Sequence, residues 1–248
     1  MKVVLKDLNT ATVGRNVLYY PSLPSTMDFA KKLATKGVSE GTVVFCDEQT
    51  EGRGRQGRKW FASPASSVLM SVVFRPTLER LPKINMLASL AIVLTIDKVA
   101  GITSTIKWPN DVLIDGKKVA GILMENVFEG ETVQAAIVGV GLNVTMDVSA
   151  YTEIASMATS LSAEAKRDFH RDDVLRTLLE EMDALYQAVK RNEDVYRRWL
   201  PYVETLGKTV RIKSGKSVEE GLAQSINPDG SITLRRANGS LVTIATGE

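Results

Sequence analysis

Between Glu51 and Trp60 the chain reads EGRGRQGRKW, in which Gly52, Gly54 and Gly57 are interleaved with Arg53, Arg55 and Arg58. Arginine stays charged at any working pH and its planar fork matches a carboxylate or phosphate, while glycine leaves the backbone free of steric restriction. Such a stretch is expected to be mobile when empty and to fold on a multiply charged anion, each charge-assisted hydrogen bond adding about 1.5–3 kcal/mol. The loop therefore reads as an anion clamp. Other readings compete. Gly52-x-Gly54-x-x-Gly57 matches the dinucleotide fingerprint and comes after a strand-like run, Thr42 to Asp47, but that fingerprint must open a helix. Here the loop leads into Trp60-Phe61-Ala62-Ser63-Pro64 and the β-like run Ser67 to Phe74, so the match is rejected. The phosphate-loop pattern fails because Arg58 and Lys59 come after Gly57 with no hydroxyl residue next. A solvated basic turn, or an arginine–glycine loop that touches RNA, stays open on the loop alone.

A second stretch, KWPNDVLIDGKKVAGILMEN from Lys107 to Asn126, carries opposite charges on a hairpin. Asp115-Gly116 is a strong two-residue turn signal. It predicts Ile114 opposite Lys117, Leu113 opposite Lys118, Val112 opposite Val119 and Asp111 opposite Ala120. Asp111 and Lys118 then lie diagonally on one face, about 7–8 Å apart at the backbone. Gly121 leaves room for a ligand to approach, and a plain surface salt pair is the competing reading. In VGVGLNV, Gly139, Gly141 and Asn143 share a face by the period of two and suggest a bare floor for a flat ring; a β-bulge is the alternative. Ser25 is expected to cap a helix running to about Thr35, with Asp28 as a weaker form of the capping box. Free N–H groups beside the Ser25 and Thr26 hydroxyls would suit a polar ring or an anion.

The remaining elements must hold these groups. Val17 to Tyr20 is a short strand ended by Pro21, and Thr42 to Asp47 a strand with Gln49 at its exit. Pro82 begins a helix with Leu87, Leu90, Ala91, Leu94 and Val99 on its apolar stripe. A meander runs from Gly116 to Val144, and a helix from Asp172 to Val189 buries Val174, Leu175, Leu178, Leu179, Met182 and Leu185. From Pro201 to Gly207 the pattern changes to short β runs, Thr209 to Lys213, Glu220 to Ile226, Ser231 to Arg235 and Leu241 to Ala245. These predict a small C-terminal β-barrel at 204–248 behind a main unit at 1–203. The fold class is α+β, with a mixed, mostly antiparallel sheet packed with helices.

With 248 residues, 44% of them hydrophobic, and a net charge of +2, the chain has an ordinary globular composition and no global field that would draw it to nucleic acid. The single cysteine, Cys46, excludes a disulfide framework within the chain and suits the cytoplasm. No apolar run is long enough to span a bilayer. No nucleophile is evident, since Cys46 sits within a strand and His170, the only histidine, stands just before a helix where a cap or surface role fits better than that of a base. Joining a carboxylate to the α-phosphate of ATP needs none. At ~4 Å and an effective dielectric of about 20, two unit anions repel by roughly 4 kcal/mol, so fixed cations govern that reaction.

The GRGRQGRKW loop, the KWPND hairpin, KVAGIL at Lys118 to Leu123 and the VGVGLN strand, occurring together in this order, closely resemble biotin protein ligases over essentially the whole chain. The resemblance implies a class II synthetase-like catalytic domain that activates biotin with ATP and Mg²⁺ to biotinyl-5′-AMP and transfers it to one lysine of a biotin carboxyl carrier protein. It implies that Ser25, Thr26 and Gln49 hold the biotin head, with Met27 and Gly52 beside them. Arg53 and Arg55 would bind the biotin carboxylate and the adenylate phosphate, Gly54 lying between them. Lys118 would stabilise the reacting carboxyl, Asp111 would orient or deprotonate the incoming amine, and Gly121 would offer its backbone. Trp108, Asn110 and Asn143 would line the nucleotide side, which Trp60 helps to cover. The resemblance names no metal ligand and implies a homodimer. Met27 stands where the family often has Asn, and Gln56 where Arg is common, so the loop carries one charge fewer. Bifunctional relatives place a winged DNA-binding domain before the catalytic part; with some 16 residues before the first strand, no DNA binding is expected here. The nearest rival is a lipoate or octanoate ligase, and a rival of another class is a non-catalytic RNA-binding module.

Overall fold

The computed structural model describes residues 8–247, and its first elements are an edge strand and a helix whose start lines the later cleft. Residues 1–7 of the main unit and Glu248 of the C-terminal one lie outside the described residues. In chain order the elements are β1 (Val17–Leu23), α1 (Thr26–Thr35), β2 (Val43–Gln49), β3 (Ser67–Phe74), α2 (Leu81–Ala100), β4 (Thr105–Lys107), β5 (Asp111–Ile114), β6 (Lys117–Glu129) and β7 (Thr132–Asn143). Next come α3 (Leu161–Ala165), α4 (Arg171–Lys190), α5 (Val195–Trp199), β8 (Thr209–Ser214), β9 (Ser217–Ile226), β10 (Ile232–Arg235) and β11 (Leu241–Ile244).

The main sheet has seven strands in the order β1-β2-β3-β7-β6-β5-β4, antiparallel except for the β1–β2 pair. Every residue of β3 is buried, as its central place requires. Its alternation sorts the two faces. Val68, Met70, Val72 and Phe74 join the larger core with α2 and α4, while Leu69 and Val73 face α1 through Met27, Ala30 and Ala34. On the α1 face Ser67 and Ser71 interrupt the apolar row, and their partners on β7 are Asn143 and Gly139. That face is therefore the only one of the two along β3 with polar groups set into it, which is where a site can form.

Two local expectations are corrected. β1 does not stop at Pro21; it continues to Leu23, because a sheet edge tolerates a residue without an N–H and the register resumes at Ser22 opposite Glu48. The β5–β6 register holds at Ile114–Lys117 and Leu113–Lys118 but then shifts by one, so that Val112 faces Ala120 and Asp111 faces Gly121. Val119 is the extra residue, buried in the larger core, and the bulge turns its apolar side chain inward. The Asp115-Gly116 turn is as expected, with φ of 47° and 76°, the two positive values that a type I′ hairpin needs.

The C-terminal strands form an antiparallel sheet in the order β11-β10-β9-β8. After β11 the chain passes so close to β8 that a Cβ on Gly247 would lie 2.4 Å from Ile212 Cγ2. Ile212, Ala223, Ile226, Ile232, Leu234 and Ile244 belong to the same buried cluster as α2 and α4, so this small sheet is supported by the main core. Trp108 Nε1 donates to the Gly230 carbonyl at 2.9 Å and Tyr196 Oη to that of Ile226 at 2.6 Å, completing the junction.

Candidate active site

The cleft begins where α1 starts. Ser25 caps the helix, its Oγ accepting from the Asp28 N–H at 3.4 Å, and Gln49 Oε1 at the end of β2 takes the Thr26 N–H at 2.8 Å and its hydroxyl at 3.0 Å. Thr26 Oγ1 also meets Ser71 Oγ at 2.8 Å. The Thr26 and Asp28 N–H groups, expected to be open to an anion, are thus engaged by side chains, and this end of the cleft presents hydroxyl and amide groups. Asp28 does not complete a capping box; its carboxylate is ion-paired with the Arg53 guanidinium.

The floor is made by β6 and β7. Gly139 faces Met27, whose Sδ would lie 3.1 Å from an added Cβ, and Gly141 faces the Trp60 indole, at 2.4 Å from the same construction. Gly121, opposite Gly141, makes room for both Trp60 and the Lys118 stem, each 2.9 Å from where its Cβ would be. The expected bare floor is therefore covered by Trp60, because glycine on neighbouring strands creates a slot of ring thickness. Lys118 Nζ lies 5.4 Å from the centre of that ring, within cation–π range. Trp60 Nε1 is buried there without an acceptor among the described residues.

Lys118 Nζ is also 2.7 Å from Asp111 Oδ1, so the diagonal pair read from the hairpin is made in full. Its backbone is held from outside the hairpin, the N–H donating to the Met157 carbonyl at 2.8 Å and its own carbonyl accepting from Thr159 at 2.9 Å.

The arginine-rich stretch closes as a short hairpin in which the Gly54 N–H donates to Arg58 and the Trp60 N–H to Gly52, at 2.7 and 2.9 Å. Gly57, with φ 74°, supplies the turn together with Gln56 at φ 54°, whereas Gly52 is needed for closeness, the Trp60 carbonyl being 3.0 Å from its Cβ position. Arg55 reaches away from the hairpin to Asn110 Oδ1 at 3.1 Å and to Thr246 Oγ1 at 2.9 Å. Partners for the Arg53 and Arg55 guanidinium groups are thus provided by the protein.

The resulting cleft, roughly 470 Å³ with its open mouth, is lined from α1 by Ser25, Thr26 and Met27, from β2 by Gln49 and from the arginine hairpin by Arg53, Gly54, Arg55 and Trp60. Asn110, Lys118, Gly121, Leu123, Gly139 and Gly141 are among the residues lining the rest of it. A second cleft of about 790 Å³ lies between the main sheet and the C-terminal strands, lined by Asn85, Met86, Trp108, Trp199, Asp229, Gly230 and Thr246 among others. Arg55, Asn110, Ile122 and Leu123 line both, so the two meet where β5 begins beside β6. Asn110 is pinned at this junction, donating to and accepting from the Ile122 backbone at 2.7 and 2.9 Å.

Of the expected residues, Gly52, Asp111 and Asn143 line neither cleft, although Asp111 touches the first through its ion pair with Lys118. Asn143 is buried, accepting from Ser67 Oγ at 3.3 Å and donating to the Thr159 carbonyl at 3.0 Å, which spends its amide on fixing the segment that holds Lys118. Sequence reasoning missed Ser71, although a serine within the apolar SVLMSVVF run was a visible signal; the Asn227-Pro228-Asp229-Gly230 segment reads as a turn, but nothing local signals that it or Thr246 lines a cleft. Burial pushes the Cys46 thiol up to about 12, keeping it protonated and unsuited to act as a nucleophile. Among the described residues no group of three or more His, Cys, Asp or Glu side chains is arranged to hold a metal.

Residues 19–143 match the model of the biotin/lipoate A/B protein ligase family, and residues 205–248 that of the biotin protein ligase C-terminal domain. Among curated relatives, the bifunctional ligase/repressor BirA of Bacillus subtilis is 34% identical over 94% of this chain and 73% of its own length. The biotin–(acetyl-CoA-carboxylase) ligase of Paracoccus denitrificans is 34% identical over 88% and 93%. Among solved structures, the biotin protein ligase of Aquifex aeolicus in complex with biotin and ATP superposes with a TM-score of 0.80 at 27% identity, covering 94% of this chain and 97% of that one.

Proposed function

The chain belongs to the biotin/lipoate A/B protein ligase family, and we propose from that premise how its two clefts divide the reaction. The enzyme is a biotin–protein ligase, which activates biotin with ATP to biotinyl-5′-AMP and transfers biotin to a biotin carboxyl carrier protein. We assign biotin to the first cleft, its ureido ring toward Ser25, Thr26 and Gln49 and its carboxylate toward Arg53 and Lys118. The nucleotide is assigned to the second cleft, against Trp108, Asn85 and the Asp229-Gly230 turn. The observation that carries this division is the shared wall, since a carboxylate leaving one cleft and an α-phosphate leaving the other meet at Arg55 and Asn110.

There Arg55 and Lys118 would offset the repulsion between the two anions, and their charge would remain matched as the pentavalent phosphorus forms and pyrophosphate leaves. Asp111, 2.7 Å from Lys118, would take the proton of the acceptor amine in the second step. Mg²⁺ brought in with ATP would supply further neutralisation of the triphosphate charge. Exchange of labelled pyrophosphate into ATP tests the assignment: biotin should support it and octanoate should not. Exchange with octanoate alone would favour the lipoate-type reading, and exchange with neither would overturn the activation step.

We also propose a homodimer in the cytoplasm. Beyond Ile122, β6 pairs with β7 on one side and with no strand on the other among the described residues, and Phe128 at its end is half exposed. Such an edge is complementary to itself when two copies run antiparallel. Sedimentation equilibrium should give twice the chain mass, and a monomer at all concentrations would overturn this. No helix of the described residues is long and apolar enough to cross a membrane, and the lone cysteine is buried and free.

A further inference from the structure

We infer that Asp28 is the resident counter-anion of Arg53, and that the substrate's carboxylate must displace it to enter the first cleft; this rests on the reading of that cleft as the biotin site. The pair spans the cleft mouth. Arg53 comes from the arginine hairpin on one lip, and Asp28 from the first turn of α1 on the other, next to Met27. Lys31, one turn further along α1, is engaged by Glu125 of β6 at 3.2 Å. The carboxylate of Asp28 thus faces the same guanidinium that an incoming acid would seek.

Both side chains are nearly half exposed, 44% for Arg53 and 45% for Asp28, so water and salt screen the pair and exchange of partners costs little. Asp28 also has somewhere to remain charged when Arg53 turns away, because the first turn of a ten-residue helix favours an anion. An internal carboxylate at this point weakens the hold of Arg53 on any free acid. It does not act on a ligand whose tail is neutral. Asp28 is therefore a selectivity-setting residue that works through Arg53, lowering affinity for the unactivated acid and easing its release.

The test is calorimetric titration of the full-length protein with biotin and with the alcohol in which CH2OH replaces its carboxyl. Asp28→Asn should bind biotin about two- to fivefold tighter than wild type, within the range expected for a screened surface pair. The alcohol should bind both proteins equally, Asp28→Glu should behave as wild type, and the gain for biotin should vanish as salt is raised. Unchanged or weaker binding of biotin by Asp28→Asn would overturn the inference. So would equal tightening for the acid and the alcohol, which would mean that Asp28 acts by shaping α1. Wild-type protein that binds no biotin would overturn the site reading together with this inference, whereas normal wild-type binding with an indifferent Asp28→Asn would overturn this inference alone.

Discussion

Two hairpins bring positive charge to the same cleft and are built in opposite ways. The β5–β6 hairpin is embedded in the sheet: β6 is paired along β7 from Ala120 to Glu129, Val119 is locked into the core by a bulge, and the Lys118 backbone is gripped by Met157 and Thr159. The arginine hairpin has a single bridge, Arg53 to Lys59, and depends on side chains of other elements, Asp28, Asn110 and Thr246, to receive its guanidinium groups. A cation that must meet a developing charge contributes most when it needs no rearrangement at that moment. A cation that must admit a substrate and later retain an intermediate needs partners it can exchange. The difference assigns the larger share of bond making to Lys118, with Arg55 adding less to that step, and assigns retention chiefly to the arginines.

The largest effect should fall on the fixed hairpin. Lys118→Ala is expected to slow adenylate formation in a single turnover by about 10²- to 10³-fold, the usual cost of losing one pre-placed charge-stabilising donor. Thermal stability should change little, since the Lys118–Asp111 pair is partly exposed. If only transfer to the acceptor slowed, the division between the hairpins would be reversed.

Arg55→Gly comes next. It removes bonds to Asn110 and Thr246 at the junction of the clefts, each charge-assisted bond contributing about 1.5–3 kcal/mol where water does not replace it. The activated biotin should escape at least about tenfold faster, read as labelling of added free amines, while adenylate formation falls less than in Lys118→Ala. Equal losses in both would show that Arg55 belongs to bond making and would break the contrast.

Gly141→Ala sharpens it from the sheet side. The new methyl would lie 2.4 Å from the Trp60 ring, and overpacking of about 1–2 kcal/mol should move the indole and weaken biotin binding roughly tenfold. Calorimetry on the variant is the check, with an unaltered affinity meaning that Trp60 is not held against the floor.

The same contrast explains what was legible in the sequence. The fixed hairpin could be read almost residue by residue, because Asp-Gly demands one turn type and the period of two then places Asp111 and Lys118 together. Only the bulge at Val119 was hidden, since it answers to core packing on the far side of the sheet. The arginine hairpin was legible as chemistry and not as structure. Its shape is set by acceptors far away in the chain, and Thr246 lies 191 residues from Arg55. Gly139 and Gly141 were correctly read as sharing a face, but nothing local indicated that Met27 and Trp60 would cover them. Asn143, on that face too, faced Ser67, and the β3–β7 register that makes this so is a tertiary fact.

Thr246→Val should give the smallest effect and is the most informative about how the arginine hairpin is held. Valine keeps the shape of threonine and removes one acceptor, while Asn110 still receives the other arm of Arg55 at 3.1 Å. Thr246 is exposed, so water can take over part of the lost bond, and a two- to threefold rise in adenylate release is expected from about 0.5 kcal/mol. Adenylate formation should be unchanged. A selective rise in release would mean that the end of the C-terminal sheet helps to close the catalytic cleft, coupling the two units through one guanidinium. Unaltered release would leave Asn110, on the fixed hairpin's own entry, as the anchor that matters, and the two hairpins would then be parts of a single device.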